Sequence, residues 1–157
     1  MIKIRKAYCE DGPKISQLLK SKYSFKSAVE AERIFNDEFL SQHFRIAHDN
    51  GEIVGLISWR TQGTTDHGVA ELTRITVSNK VKDREFVKEM LFDVMIAEAD
   101  YFYKQNGSKL RKVYSLIHAD NRHVKEFFEN KGMKQEAILR NHFHKGTDEL
   151  VFSLFFS

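Results

Sequence analysis

Hydrophobic and polar positions recur along this chain with two different periods, and each change of period predicts a boundary between elements. A period of two, or a short buried apolar run, predicts strands at Met1–Ala7, in both arms of 43–62, at Val69–Val77, at 110–118 and in both arms of 134–157. A helical period covers the stretches 9–23, 24–42, Asp83–Gln105 and 121–133. The predicted order is therefore βααβββαβαββ.

The helical segments carry apolar stripes that should face the core. The first helix has Asp11 as a plausible N-cap and Pro13 in its first turn. The stripes predicted to be buried are Ile15, Leu18 and Leu19 in the first helix, Val29, Ile34, Phe35 and Phe39 in the second, Phe86, Val87, Met90, Leu91, Val94 and Ala97 in the third, and Val124, Phe127 and Phe128 in the fourth.

Turn signals separate these elements. Asp49-Asn50-Gly51 predicts a tight hairpin turn, and Lys145-Gly146 predicts the turn of the last hairpin. Asn106-Gly107 should stop the long helix, while Asn121 should cap the next one. Helices interleaved with a mostly antiparallel sheet indicate a mixed α/β (α+β) layer fold.

Composition narrows the class of protein. The 157 residues suit one domain, and 41% hydrophobic with 30% charged residues is typical of a folded globular chain. No apolar run approaches the length of a membrane span, and Met1–Glu10 is too polar for a signal peptide. The only cysteine, Cys9, excludes an internal disulfide, so we expect a cytoplasmic protein.

Charge gives a weaker indication about ligands. The net charge of +3 is mildly basic, with both signs interspersed, and supports an anionic ligand rather than a nucleic acid, for which no basic stripe is present. The turn after the central strand concentrates basic residues at Lys80, Lys82, Arg84 and Lys88. A helix N-terminus with such residues favours a diphosphate. A solvated helix start would account for them equally well.

Together, these patterns resemble the GNAT N-acetyltransferase superfamily over nearly the whole chain. Four stretches carry the resemblance: "NGEIVGLISW", "ELTRITVS", the helix that follows it, and "NRHVKEFFENKGM". The resemblance implies acetyl-CoA as co-substrate, lying in an opening between the Val69–Val77 strand and the Leu110–His118 strand. The implied cofactor-binding residues are Ile75, Thr76 and Val77 on the central strand, Lys82, Asp83, Arg84, Glu85, Phe86 and Val87 at the next turn, and Asn121 and Phe128 near the last helix.

The phosphate-binding turn departs from the family pattern. Glu85 and Val87 stand where the family usually has glycines, which let backbone approach the phosphates without an intervening Cβ. At roughly 6 Å and an effective dielectric constant of about 20, Glu85 would repel a unit negative charge by about 3 kcal/mol. Asp83 and Glu85 could instead cap the helix themselves. We therefore expect the fold to be kept and cofactor binding to be weakened.

The catalytic residues implied by the resemblance also include a departure. Glu71 lies where some members have a general base; otherwise it is a surface residue paired with Arg74 or a neighbouring strand. The family's thiolate-protonating tyrosine is replaced by Phe128, which has no proton to donate. Tyr114 or His123 could substitute, although a structural role accounts for each of them better.

Several other side chains have alternative interpretations. His142 and His144 share a strand face, but no third ligand accompanies them, so we predict no metal site. Trp59 should belong to the core or the rim of the acceptor cleft. In the family, the first two helices and the final hairpin shape the acceptor pocket, which here suggests Tyr23, Phe25, Phe143 and His144, or else ordinary packing of these residues.

The sequence therefore favours an acetyl-CoA-dependent N-acetyltransferase acting on a small-molecule or peptide amine by direct transfer in a ternary complex. The alternative is a degenerate GNAT-fold binding or regulatory module, which both departures favour. A third hypothesis is an enzyme that uses another acyl-CoA. No nucleic-acid or membrane partner is expected, and because many family members are dimers, a homodimer is one expectation.

Overall fold

The computed structural model describes residues 1–157 and contains the predicted elements in the predicted order. The strands are β1 (Lys3–Lys6), β2 (His43–Asp49), β3 (Glu52–Gln62), β4 (Val69–Val77), β5 (Lys112–His118), β6 (Lys134–His144) and β7 (Thr147–Phe155). The helices are α1 (Gly12–Lys22), α2 (Ala28–Phe39), α3 (Arg84–Gln105) and α4 (Arg122–Asn130). The order βααβββαβαββ and the mixed α/β class are confirmed.

The strands form one seven-stranded sheet in the order β1-β2-β3-β4-β5-β7-β6. The β1–β2, β2–β3, β5–β7 and β6–β7 pairs are antiparallel. The β4–β5 pair is parallel and aligns Val69 with Lys112, Ala70 with Val113 and Glu71 with Tyr114. This parallel pair is therefore aligned over the first three residues of each strand.

By contacts, the chain divides into two compact units. The first unit contains residues 1–60 and 74–98, and the second contains 61–73 and 99–157. The single domain expected over 1–157 stays a prediction. None of the helices is long and apolar enough to cross a membrane.

The first unit has its core between α1, α2 and the N-terminal strands. Ile15, Leu19 and Phe35 are fully buried there, which confirms most of the predicted α1 and α2 stripes. Val29 is 77% exposed, so its predicted burial is wrong. Ala31 is buried instead, because it lies one turn before Phe35 and the two residues share a helix face.

The first helix begins as predicted, although its cap differs in detail. Asp11 occupies the N-cap position but its carboxylate makes no capping bond to α1. Both carboxylate oxygens accept hydrogen bonds of 2.8 Å from the Arg5 guanidinium. This pairing holds the pKa of Asp11 below its usual value. The predicted hairpin turn is confirmed by the positive φ angles of Asn50 and Gly51, 49° and 81°.

The buried line of α3 differs from the predicted one. Val87, Leu91 and Met95 are buried at successive intervals of four residues. Phe86 is 57% exposed and Ala97 is exposed, so their predicted burial is wrong. The cause is the even spread of apolar residues around this helix, which lets more than one face be chosen from the sequence.

In the second unit, α4 packs on one face of the β5–β7–β6 sheet. Phe127 and Phe128 are buried, and the Phe128 ring lies 6.3 Å from the Phe152 ring of β7. Gly68, with φ of 65°, precedes β4 where an added Cβ would lie 2.1 Å from the Lys109 carbonyl oxygen, so only glycine fits. The last hairpin turns as predicted, with Gly146 at φ of 84°.

Candidate functional site

The turn between β4 and α3 is held by hydrogen bonds within it and to β3, although it contains no glycine. The Ser78 amide donates to the Val54 carbonyl of β3 at 2.7 Å, and the Val81 amide donates to the Ser78 carbonyl at 3.1 Å. The Ser78 hydroxyl accepts from the Lys80 amide at 3.2 Å. These bonds hold the first half of the turn against β3.

The first turn of α3 is partly closed by Asp83. Its carboxylate accepts from the Phe86 amide at 3.1 Å, and its carbonyl accepts from the Val87 amide at 3.3 Å. The hypothesis that Asp83 caps this helix is confirmed. Because the first amides of a helix have no partner within it, those of Arg84 and Glu85 are the donors that Asp83 leaves for a ligand.

Glu85 does not cap the helix. Its carboxylate pairs with the Lys88 ammonium at 3.2 Å, and its side chain is 65% exposed. This partner and this exposure both reduce the repulsion that Glu85 would exert on a bound phosphate.

A groove of about 590 Å³ lies beside the first turn of α3. Its lining includes Lys80, Lys82, Phe86 and Val87 from the turn and the helix, together with Asn50 from the β2–β3 turn. Phe86 lies in the wall of this groove and does not fill it. The groove also carries three carboxylates, those of Asp49, Glu52 and Asp83, so its charge is mixed.

Positive charge concentrates where α1 meets the turn. The Asn79 side-chain oxygen accepts from both the Lys22 ammonium and the Arg84 guanidinium, each at 2.6 Å. Burial lowers the pKa of Lys22, and the neighbouring charges of Arg84 and Lys88 lower it further. Lys22 was not identified from the sequence, because its position in the last turn of α1 marks it only as a helix-end base.

The side chains of the β4 residues that were expected to contact the cofactor are largely buried. The side chains of Thr76 and Val77 are 6% and 2% exposed, and Ile75 is half-buried. Behind them, a Cβ on Gly55 of β3 would lie 3.4 Å from the Thr76 carbonyl oxygen. Any ligand contact along this strand would therefore be made mainly by backbone groups.

Arg74 of β4 forms a closed cluster with α1 and α2. Its guanidinium binds both carboxylate oxygens of Glu38 at 2.9 and 3.2 Å. It also lies 4.7 Å from the centre of the Tyr23 ring and 5.6 Å from that of Phe25. Burial raises the pKa of Tyr23. Two of the residues expected at the acceptor pocket are thus engaged with Arg74, and Glu38 could not be identified from the sequence.

The predicted catalytic residues Glu71 and Tyr114 lie next to each other in the second unit. They are aligned in the parallel β4–β5 pair, so their side chains project from the same face of the sheet. The Gln62 side-chain amide donates to the Glu71 carboxylate at 2.6 Å. The Ser115 hydroxyl, one residue after Tyr114, donates to the Leu72 carbonyl at 2.7 Å.

A row of polar side chains continues from Tyr114 across this face. Tyr114 is aligned with Ser153 of β7, whose hydroxyl donates to the Glu136 carboxylate of β6. Glu136 also pairs with the Lys112 ammonium at 2.7 Å. These bonds to Lys112 and Ser153 lower the pKa of Glu136. The alternation of side chains along each strand predicts which residues share a face, but only the register between strands shows that these residues are neighbours.

The residues predicted near α4 are committed to its structure. The Asn121 side chain accepts from the Val124 amide at 3.2 Å, which confirms its role as the N-cap. Phe128 is 1% exposed and therefore has almost no surface for a ligand. A cofactor contact at either residue stays a prediction, and burial counts against Phe128. His123 is exposed near the start of α4.

The remaining candidates differ in exposure. His142, Phe143 and His144 are all exposed on β6. Trp59 is fully buried, stacked against the His43 ring at 4.1 Å, and its Nε1 donates to Glu98 at 2.8 Å. Of its two predicted places, core and cleft rim, Trp59 therefore occupies the core.

The sequence matches no protein-family model and no curated protein. The fold, however, is similar to solved structures over nearly the full length of both chains. The ribosomal-protein-S18-alanine N-acetyltransferase from Escherichia coli is 16% identical, with a TM-score of 0.78 and coverage of 100% of this chain and 95% of that one. The GNAT-family acetyltransferase from Streptococcus pneumoniae is 17% identical, with a TM-score of 0.69 and full coverage of both chains.

A third similar structure is the spermidine N-acetyltransferase from Vibrio cholerae, described as dodecameric. It is 17% identical, with a TM-score of 0.75 and coverage of 98% of this chain and 93% of that one. At these identities the likeness demonstrates the fold. The protein has the fold of GNAT acetyltransferases, which confirms the fold that the resemblance implies.

Proposed function

We propose that this GNAT-fold protein is an acetyl-CoA-dependent N-acetyltransferase that acts on a small-molecule or peptide amine. The observation that carries the proposal is the start of α3, where a groove lined by Lys82 and Phe86 lies beside the helical turn whose first two amides have no helical partner. The neighbours with named acceptors act on an alanine of a ribosomal protein and on spermidine, which supports an amine acceptor. The single cysteine supports a cytoplasmic setting.

The donors around the groove fit the phosphates of such a nucleotide. The amides of Arg84 and Glu85 and the side chain of Lys82 would hold the negative charge, and backbone groups of Ile75 and Val77 would bind the extended arm. When bound, acetyl-CoA supplies the acetyl thioester. The three carboxylates of the groove oppose this binding, so we expect an affinity below that of a glycine-containing loop.

Glu71 and Tyr114 would divide the proton transfers. The Glu71 carboxylate would take a proton from the acceptor ammonium, directly or through water, and the Gln62 amide holds it in position from one side. The Tyr114 hydroxyl, on the same sheet face, would donate a proton to the departing sulfur. The amine would attack directly, with no covalent intermediate on the protein.

The alternative function, a binding or regulatory module without transferase activity, is favoured by one observation. Asp83 already occupies the Phe86 amide, so part of the helix N-terminus is satisfied without a ligand. The two functions differ in whether acetyl-CoA binds at all, and this difference can be measured before any acceptor is known.

Thermal unfolding with and without acetyl-CoA separates them. A ligand at about 100 times its Kd adds about 2.7 kcal/mol to the free energy of unfolding. Lys82→Glu should remove most of the resulting rise in Tm, because Lys82 lines the groove, while Lys109→Glu, an exposed change of the same charge in the second unit, should keep it. An unchanged Tm at millimolar acetyl-CoA would refute the enzyme and leave the binding module.

If acetyl-CoA binds, Glu71→Gln and Tyr114→Phe should each lower kcat while the Kd for acetyl-CoA stays the same. The measurement is thiol release with a panel of amines. Normal turnover in either variant would remove that residue from the mechanism.

A further inference from the structure

A second cavity of the first unit, of about 420 Å³, lies beside α1 and is called the α1 cavity below. One face of α1 contributes to its lining, because Lys14, Leu18 and Ser21 recur at helical intervals of four and three residues. The remaining lining comes from the first residues of β3 and from the turn after β4. Its volume is in the range of small-molecule sites, and neither proposed catalytic residue lines it.

Part of the lining is apolar. Leu18 of α1 and Val54 of β3 are 6% and 7% exposed, and Ile53 is partly buried. Because these side chains pack mainly against the core, the apolar part of the α1 cavity keeps its shape without a ligand. A ligand with an apolar body would cover what remains of this surface and gain free energy from its removal from water.

Positive charge gathers around the α1 cavity and is held there by neutral acceptors. The Lys14 ammonium donates to the Gly51 carbonyl at 2.9 Å. The side-chain oxygen of Asn79, which belongs to the lining, accepts from both Lys22 and Arg84. A neutral acceptor leaves the charge of its donor in place, so an anion in the cavity would still be attracted.

The lining also contains donors that the fold does not use. The Ser78 hydroxyl accepts from the Lys80 amide at 3.2 Å, which leaves its own proton for a ligand. The Lys80 ammonium and the Gln17 side-chain amide line the cavity without a hydrogen bond to another residue. The one carboxylate in the lining is that of Glu52, so the cations in and around the α1 cavity outnumber the anions.

We propose that the α1 cavity binds a small phosphate monoester, with the phosphate group at Ser78 and Lys80 and an apolar body against Leu18. A phosphate monoester carries close to two negative charges at neutral pH, which suits a cavity with several cations better than a monocarboxylate does. Its hydrogen bonds to these donors would be charge-assisted and therefore strong. The inference goes beyond the proposed function, because it does not require acetyl-CoA to bind.

The α1 cavity adjoins the groove beside α3, since Val54 and Lys80 line both. A phosphate at Lys80 would compete for a charge that the groove also uses. Occupation of the α1 cavity should therefore weaken acetyl-CoA binding several-fold, and acetyl-CoA should weaken binding in the α1 cavity by the same factor. The cavity would then regulate the groove.

Titration of the isotope-labelled protein with phenyl phosphate, followed by nuclear magnetic resonance, tests the site directly. We expect saturable shifts at the backbone amides of Gln17, Ile53 and Asn79, and small ones at Lys82 and Phe86 in the groove. Inorganic phosphate lacks the apolar body and benzoate lacks the second charge, so each should bind at least fivefold more weakly than phenyl phosphate.

Two variants of α1 with the same change in charge complete the test. Gln17→Glu adds a negative charge to the lining at an exposed helical position, so it should weaken phenyl phosphate binding at least tenfold while the Tm stays the same. Lys20→Gln, at an exposed position outside the lining, should keep the affinity within twofold. At saturating phenyl phosphate, acetyl-CoA should bind more weakly to the wild type but not to Gln17→Glu.

Several results would overturn the inference: no saturable binding of phenyl phosphate, shifts confined to the groove, equal affinity for benzoate or inorganic phosphate, or the same loss in both variants. Acetyl-CoA alone shifting the Gln17 amide would overturn it too, because the α1 cavity would then belong to the cofactor site. An acetyl-CoA affinity that phenyl phosphate leaves unchanged would contradict the placement of the phosphate at Lys80. Saturable phenyl phosphate binding without any acetyl-CoA binding would support the inference and refute the proposed activity.

Discussion

Glu98 of α3 offers the sharpest test of how the first unit is held together. Its carboxylate accepts from Arg45 Nε at 2.7 Å, from Arg45 Nη2 at 2.6 Å and from Trp59 Nε1 at 2.8 Å. The side chains of Arg45 and Glu98 are 30% and 17% exposed, so water cannot fully replace these bonds. The substitution Glu98→Gln keeps the shape but removes the charge, and its NH₂ group would meet donors on at least one side.

The magnitude follows from the bonds lost. A hydrogen bond to a charged group contributes about 1.5–3 kcal/mol, and a half-buried donor left without a partner adds to the loss. Allowing for partial exposure, Glu98→Gln should lower the free energy of unfolding by about 2–4 kcal/mol. For a chain of this size that corresponds to a fall in Tm of roughly 5–12 °C.

Urea unfolding followed by fluorescence is suited to this test, because Trp59 is the only tryptophan and lies within the cluster. Asp100→Asn is the control on the same helix: its pair with Lys104 is largely exposed and should contribute at most about 0.5 kcal/mol. In a double-mutant cycle, Arg45→Met and Glu98→Gln should be non-additive by more than about 1 kcal/mol. A loss below about 0.5 kcal/mol for Glu98→Gln would refute the assignment of this cluster as a stabilising element.

Three further predictions follow from the same unit. Burial lowers the pKa of His43 below its ordinary 6.5, so as the pH drops below about 6.5 the unfolded chain binds a proton first and the free energy of unfolding should fall. In urea titrations at several pH values, His43→Phe should reduce this loss of stability, and an unchanged pH profile would contradict the prediction. Gly55→Ala should lower the free energy of unfolding by about 1–3 kcal/mol, because the added Cβ would lie 3.1 Å from Leu91 Cδ1, whereas Gly12→Ala, whose Cβ meets no atom nearer than 3.6 Å, should not destabilise the protein. Equal Tm values for the two variants would count against the packing argument. Glu85→Gly should tighten acetyl-CoA binding up to about tenfold; the gain is limited because Lys88 already neutralises the charge of Glu85. Glu89→Gly is the exposed control, and looser or equal binding of acetyl-CoA by Glu85→Gly in calorimetry would refute the charge argument.

Elements with a local signal were predictable from the sequence. The bounds of β4 agree with the alternation that predicts Val69–Val77, and the hairpin turn agrees with Asp49-Asn50-Gly51. In both cases neighbouring residues determine the backbone, so no distant contact is needed. The buried face of α3 was harder to choose, because apolar residues surround that helix and only packing selects among its faces.

Pairings between distant residues could not be predicted. A pairing of Arg74 with Glu71 was one alternative for Glu71, yet Arg74 binds Glu38, which lies 36 residues earlier in the chain. The sequence contains several carboxylates that could pair equally well with Arg74, and only the packing of α2 against β4 determines that Glu38 is the partner. Glu149 illustrates the same limit, because a glutamate in a strand predicts exposure, whereas its side chain is only 6% exposed.

The two departures from the family pattern have different consequences for function. Phe128 lies in the core on the α4 face of the sheet, whereas Tyr114 projects from the opposite face beside Glu71. Phe128 therefore cannot mark a lost proton donor on the face where the proposed transfer takes place. The turn before α3 is the stronger argument for a module without activity, because Asp83 satisfies one amide that a phosphate would need. The amides of Arg84 and Glu85 have no helical partner and remain available to a phosphate. Whether they are enough for acetyl-CoA to bind therefore distinguishes the two functions, and the affinity for acetyl-CoA measures it.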